Sequence, residues 1–299
     1  MNGLRWTPGH PHALVAAFVM LGVPCAARAD EPGPPPPVES PAPDKSDSSL
    51  FNPVPAAALR GFSADRPTKS FLPYTVDAGH VQVESDFAVY GITTQDGQKT
   101  RNWTVFDPTL KLGLTNSADF ELQVITYQAA ISHAGPTRTS ASGWGDAYAK
   151  VKLNLIGNDG GKLAVALLPY VKAPTARAPL GNGAVEGGLI VPVSIAVPHG
   201  FTIVFSPEFD WLRNGTGPGY HGSTTFLVNL SHPVGKVWTV YAEAFTTRSF
   251  QHGDTPLYTF DTAASVAITP TLQWDFGANI KVSGPAPDAQ IYTGFARRF

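Results

Sequence analysis

Charged side chains recur inside stretches of strictly alternating polarity in this sequence, and any chemistry it performs has to start from them. Glu84, Asp86, Asp107, Lys111, Glu121, Asp146, Lys150, Lys152, Glu208, Asp210, Glu243, Asp261, Asp275 and Lys281 fall on the polar side of such stretches. That period of two puts the polar set on one face of a strand and the apolar set on the other. If the strands close on one another, these carboxylates and ammonium groups converge on one lumen. Two readings follow: a charge-lined pore selecting by field and diameter, or a salt-bridge network filling a narrow barrel without conduction. Catalytic patterns are weaker. His80, His133, His199, His221, His232 and His252 include no pair at metal-ligand spacing on one element. Ser132 beside His133 is the one close Ser–His couple, and no G-x-S-x-G elbow exists, so a lipid hydrolase is a minor alternative. The glycine-rich run ending in Gly161-Lys162 lacks one residue of a phosphate loop and has Leu163 where Ser or Thr is required. The expectation is therefore no catalytic residues, no metal and no cofactor.

The elements that carry these charges read as an all-β chain. The clearest strand sets Leu272, Trp274, Phe276, Ala278, Ile280 and Val282 against Gln273, Asp275, Gly277, Asn279 and Lys281. After the turn residues Ser283-Gly284-Pro285 a further strand passes Ile291, Thr293 and Phe295 and ends on Phe299. Alternating stretches begin at Gly79 and total about twelve strands. Tight turns at residues 116–117, 158–161, 198–200, 233–235 and 269–270 interleave with longer connections at 93–101, 132–142, 173–185, 213–219 and 248–255. Short turns on one side and long loops on the other are the pattern of a transmembrane antiparallel β-barrel, with both chain ends in the periplasm. A soluble β-sandwich also alternates, so the pattern alone leaves the inner face undecided. Phe201, Trp238, Trp274 and Phe299 fall at one expected rim and Trp211 and Tyr258 at the other, where aromatic girdles belong. Trp103 has the wrong parity for the lipid face of its strand, which leaves a bulge or a lumen position as the alternatives.

Composition agrees. Only 15% of residues are charged, and 29 Gly and 28 Pro suit many strands joined by turns. No run of 18 apolar residues is present, so a helical span is excluded and a barrel is the remaining way to cross a membrane. Residues 1–29 read as a signal peptide: Arg5, an apolar run over 13–23, then Ala27-Arg28-Ala29 as the cleavage site. Its loss removes Arg5, Arg28 and the single Cys25 and takes the net charge from −2 to −4, which gives no case for nucleic acid. Residues 30–49 are a Pro-rich, acidic linker unable to order itself. Residues 50–78 have apolar side chains but no alternation, and two prolines, Pro53 and Pro55, poised to open a short helix over 56–61. This segment either stays in the periplasm or enters the lumen as a plug. In the second case Arg60 and Arg66 would pair with lumen carboxylates such as Glu84 and Asp86, because a guanidinium fork matches a carboxylate. Residues 79–299 form the barrel.

Several motifs resemble the outer-membrane barrel family named after the MetA pathway of phenol degradation. They are Asp65-Arg66-Pro67-Thr68, then Ser70, then Pro73-Tyr74-Thr75-Val76-Asp77-Ala78-Gly79-His80-Val81-Gln82-Val83-Glu84. Leu50-Phe51-Asn52-Pro53-Val54-Pro55 precedes them, and Gly143-Trp144-Gly145-Asp146, the turn at 157–161, the run 181–192 and the closing Arg298-Phe299 follow. Lys69 departs from the family, whose members tend to be acidic nearby. The resemblance implies a barrel in the cell outer membrane and suggests transport of small molecules, aromatic or hydrophobic compounds among them. The alternative is a structural or adhesive barrel. The partners implied are outer-membrane lipid and lipopolysaccharide, and the barrel assembly machinery through the terminal strand ending in Phe299.

Overall fold

The structure, a computed structural model, describes residues 44–95 and 97–299. The signal peptide and residues 30–43 of the linker lie outside the described residues. Seventeen hydrogen-bonded stretches form one sheet that closes on itself. Five strands carry a short break, so the stretches make twelve antiparallel strands. They are β1 (Val81–Gln95), β2 (Gln98–Val105 and Thr109–Thr115), β3 (Ala118–Val124 and Tyr127–Ala134) and β4 (Thr137–Gly143 and Ala147–Ile156). Next come β5 (Leu163–Ala173), β6 (Glu186–Ile190 and Val193–Ala196), β7 (Thr202–Phe205 and Glu208–Arg213) and β8 (Tyr220–Val234). The last four are β9 (Trp238–Ser249), β10 (Leu257–Thr269), β11 (Leu272–Ser283) and β12 (Ala289–Arg298). Each pairs with its sequence neighbour, and β12 pairs with β1 from Gln82↔Arg298 to Ile92↔Ala289.

Burial decides between barrel and sandwich. Leu153, Phe226, Phe260, Phe276, Ile280 and Ile291 are exposed on the outer face, whereas Glu84, Lys111, Glu121, Lys152, Glu243, Asp261 and Asp275 are buried inside. Apolar side chains outward and charged ones inward reverse the order of a water-soluble sheet and suit a strand whose outer face meets lipid. Trp238, Trp274 and Phe299 are exposed at one rim and Trp211 and Tyr258 at the other.

The breaks explain Trp103. Phe106 adopts φ 50° between the two parts of β2, and β1 has a bulge between Asp86 and Ala88 opposite it. The extra residues switch the parity, so Trp103 and Leu110 both face outward, 42% and 45% exposed, and Trp103 packs on Tyr90 at 4.4 Å between ring centres. Two of the long connections read from the sequence are strand instead. Residues 93–101 belong to a hairpin of β1 and β2, and 132–142 to a hairpin of β3 and β4. The short helix expected over 56–61 is a single 3-10 turn, Ala56–Ala58.

Candidate functional site

The lumen is built by cross-strand pairs. Lys111 of β2 lies opposite Glu121 of β3, which lies opposite Lys150 of β4; Asp119 lies opposite Lys152. On the other wall Glu243 of β9 faces Asp261 of β10, and Asp275 of β11 faces Gly294 of β12, which faces Asp86 of β1. One wall therefore carries Lys111, Lys150 and Lys152 interleaved with Asp119 and Glu121, and the opposite wall carries Glu243, Asp261, Asp275 and Asp86. Isolated buried charges of this kind are costly unless paired.

Their partners come from residues 60–77, which run into the lumen from the end of the barrel that carries the tight turns and back. Asp65 accepts bonds from Lys111 and from Lys152 at 2.9 Å. Arg66 turns to the acidic wall: Nη1 lies 2.7 Å from Asp86, and Nη2 and Nε donate to Asp275 at 2.6 and 3.1 Å. Two consecutive residues thus bridge the two walls. Lys111 also pairs with Glu84 at 2.6 Å, and Lys152 with Glu121 at 3.2 Å. Burial alone would raise the Asp65 carboxyl, but the Lys111 and Lys152 ammonium groups outweigh it and hold it below the usual carboxylate range.

The segment has no strand beside it, so its backbone donors need other acceptors, and the wall supplies them. Glu243 accepts the N–H groups of Lys69 and Ser70, both at 3.1 Å, and Glu84 accepts that of Arg66 at 3.2 Å. Ser206 bonds Phe71 in both directions, Asn154 donates to the Pro73 carbonyl, and Asp119 accepts from Val76 at 2.8 Å. Lys69 sits over Phe245 at 4.6 Å and Lys150 over Phe71 at 4.9 Å, cation–π contacts. Small inward residues make room. A Cβ on Gly294 would meet the Arg66 guanidinium at 2.3 Å, and one on Gly113 would meet the Asp77 carbonyl at 2.0 Å. Two cavities remain beside the loop tip. One of about 290 Å³ is lined by Arg66, Phe71, Asp107 and Lys150, and one of about 260 Å³ by Pro67, Thr104, Asp107 and Tyr292.

The other residues singled out from sequence are spread along the lumen. Asp107 accepts the Asp86 N–H at 2.8 Å. Asp210 accepts from Tyr170 at 2.6 Å, with Glu208 two residues before it, and Asp261 accepts from Tyr292 at 2.7 Å. Asp146 pairs with Lys172 at 2.9 Å toward the outer mouth. Lys281 does not join the lumen cluster; it pairs with Asp288 across the β11–β12 connection. Arg60 lies at the periplasmic foot of the loop, where it meets Asp77, Asp159 and Asn116. Sequence reasoning missed Asp65, Asp119 and Ser206. Asp119 had the right parity for the inner face, and glycines at inward parity, Gly113 and Gly294, would have marked where another chain segment passes. Ser132 and His133 are successive strand residues on opposite faces, and Ser132 bonds Thr100 at 2.8 Å. Among the described residues no group of His, Cys, Asp and Glu is arranged to hold a metal.

Residues 64–299 match the family described as the putative MetA pathway of phenol degradation. The chain belongs to that family. Among solved structures, an outer membrane channel from Pseudomonas putida F1 has the same fold, with a TM-score of 0.58 at 13% identity, covering 79% of this chain and 100% of that one. The β domain of the Bordetella autotransporter BrkA gives a TM-score of 0.49 at 10% identity, covering 74% and 99%. The NanC porin gives 0.47 at 9%, covering 73% and 98%. Among curated proteins none matches this sequence. The fold is that of a barrel of the outer membrane.

Proposed function

We propose that this family member is an outer-membrane channel for passive passage of small molecules, with residues 60–77 narrowing its lumen from the periplasmic side. The observation that carries the reading is a polar lumen holding a loop rather than packed side chains, with cavities of about 290 and 260 Å³ beside the tip. A cavity on the order of 150 Å³ holds a molecule the size of benzene, so each can receive a single-ring compound. The family's description supports aromatic or hydrophobic solutes. The loop is fixed by ion pairs and side-chain acceptors, not by a strand ladder, so it leaves without breaking the barrel wall. Membrane lipid and lipopolysaccharide surround the apolar face, and the terminal strand ending in Phe299 is the segment offered to the barrel assembly machinery. We assign the chain no catalytic role.

The alternative is a structural barrel sealed by the same loop, favoured by the spread of its contacts over β1, β2, β3, β4, β7, β9 and β11. Purified full-length protein in planar bilayers separates the two. Discrete conductance steps, with uptake of phenol into proteoliposomes above that of empty vesicles, are expected of a channel. Silent bilayers and uptake equal to empty vesicles would leave the structural reading.

A further inference from the structure

At the periplasmic foot of the loop lies a cavity of about 370 Å³ that the channel reading does not use. Its polar side is made by Lys45, Arg60 and Arg298, with Asp159 and Asn158. Lys45 lies 3.1 Å from Asp77 and 2.8 Å from Asp159; Arg60 lies 3.4 and 2.9 Å from the same two carboxylates. Arg298 reaches Asp77 only at 3.6 Å and donates one bond to the Arg60 carbonyl at 2.8 Å. Three cations thus share two carboxylates. The Arg298 guanidinium lines the cavity and gives no hydrogen bond other than the one to Arg60 among the described residues. A guanidinium fork matches a carboxylate, which can take two of its N–H groups. The opposite side of the cavity is apolar, lined by Ala58, Leu59, Val76 and the ring of Tyr74. The size lies at the lower end of small-molecule sites.

We propose that this cavity binds a small organic carboxylate with an apolar body. Its carboxylate takes the cavity-lining N–H groups of Arg298 and the surplus positive charge, and its body lies against Leu59 and Tyr74. A bare inorganic anion leaves the apolar side unfilled, and a neutral ring leaves the surplus charge unmet. The site contacts both legs of the inserted loop and the end of β12.

Calorimetric titration of the full chain in detergent tests the site apart from any conduction. The probes are benzoate, its neutral analogue benzamide, and acetate. Benzoate is expected to bind saturably at one site, with benzamide and acetate at least tenfold weaker. Arg298→Gln should weaken benzoate at least tenfold, and Leu59→Trp, which fills the apolar side and leaves the charges, should do the same. Lys236→Gln, in an exposed turn on the same side, should change nothing. Variants are compared only after their heat-shifted gel mobility shows a folded barrel. Absence of saturable benzoate binding overturns the proposal, as does equal binding by wild type and Leu59→Trp.

Discussion

Replacing Arg66 by alanine is the sharpest perturbation of the lumen. The side chain is 12% exposed and Asp275 is fully buried; together with Asp86 they make one guanidinium serving two carboxylates. Truncation strands both carboxylates on the acidic wall, beside Glu84. Breaking a buried pair by removing one partner costs about 3–5 kcal/mol. The adjoining cavity of about 290 Å³ is lined by Asp86 and lets water reach that group, and truncation itself empties the space beside Asp275, so the low end applies. About 3 kcal/mol is roughly a hundredfold shift, here in the balance between inserted and withdrawn loop. The barrel wall is untouched, so the loss appears as gating and not as unfolding. Single-channel recording should show the wide-open state at least tenfold more often in Arg66→Ala than in wild type. Adding Asp275→Asn removes one stranded charge and should restore part of the closed time. Equal open probability in wild type and Arg66→Ala, with both barrels folded by gel mobility, would refute the bridging role.

Four further outcomes follow from the same geometry. Gly294→Ala places a methyl against both the Arg66 guanidinium and the Ser85 carbonyl of β1, so it should raise open probability and lower the stability of the barrel together; wild-type gating in a folded barrel would show that Arg66 does not need that notch. Asp65 has a depressed carboxyl pKa, so its pairing with Lys111 and Lys152 stabilises above the unfolded value near about 4 and is lost as pH falls below it. The rise in conductance that Asp65 causes should begin only below about pH 4, and Asp65→Asn should show the raised level already at neutral pH and lose that acid step; an acid step unchanged in Asp65→Asn would point to another group. Val228→Arg, exposed near the middle of β8, should cost about 2–4 kcal/mol in folding titrations, against about 1 kcal/mol for Asn154→Ala, which removes the bond to Pro73; equal costs would reverse the assigned faces. Finally, Ser140→Cys should label in intact cells with an impermeant thiol reagent and Lys236→Cys should not, and the opposite result would invert the barrel.

What could be read from the sequence followed the membrane. Between the rims one face meets lipid and the other the lumen, so residues such as Leu272 to Val282 keep an unbroken period of two. Beyond the outer rim both faces of a hairpin meet water. Thr93, Thr94, Lys99 and Arg101, like Ser132, Thr137 and Arg138, lose the alternation there and pass for loops, although their backbones stay paired. The inner segment was legible only in part. Arg66 announced a need for carboxylates, and Glu84 and Asp86 were the natural candidates. Asp275, some two hundred residues away in the chain, becomes a neighbour only through closure of β12 on β1. Acceptors such as Ser206 and Asn154 serve backbone groups of an irregular loop, and a loop without periodicity leaves no spacing from which to infer them. The first half of β5 alternates weakly for a related reason: Ala164, Ala166 and Leu168 are its buried residues, so the lumen side of that stretch is itself apolar.

If residues 60–77 occupy and narrow a conducting lumen, their removal must widen it. Single-channel conductance of the full chain is therefore to be compared with that of a chain lacking residues 30–76, both purified as folded barrels. Small, infrequent openings are expected of the full chain and a steady, several-fold larger conductance of the shortened one. Identical conductance in the two would show that the loop does not narrow the pore.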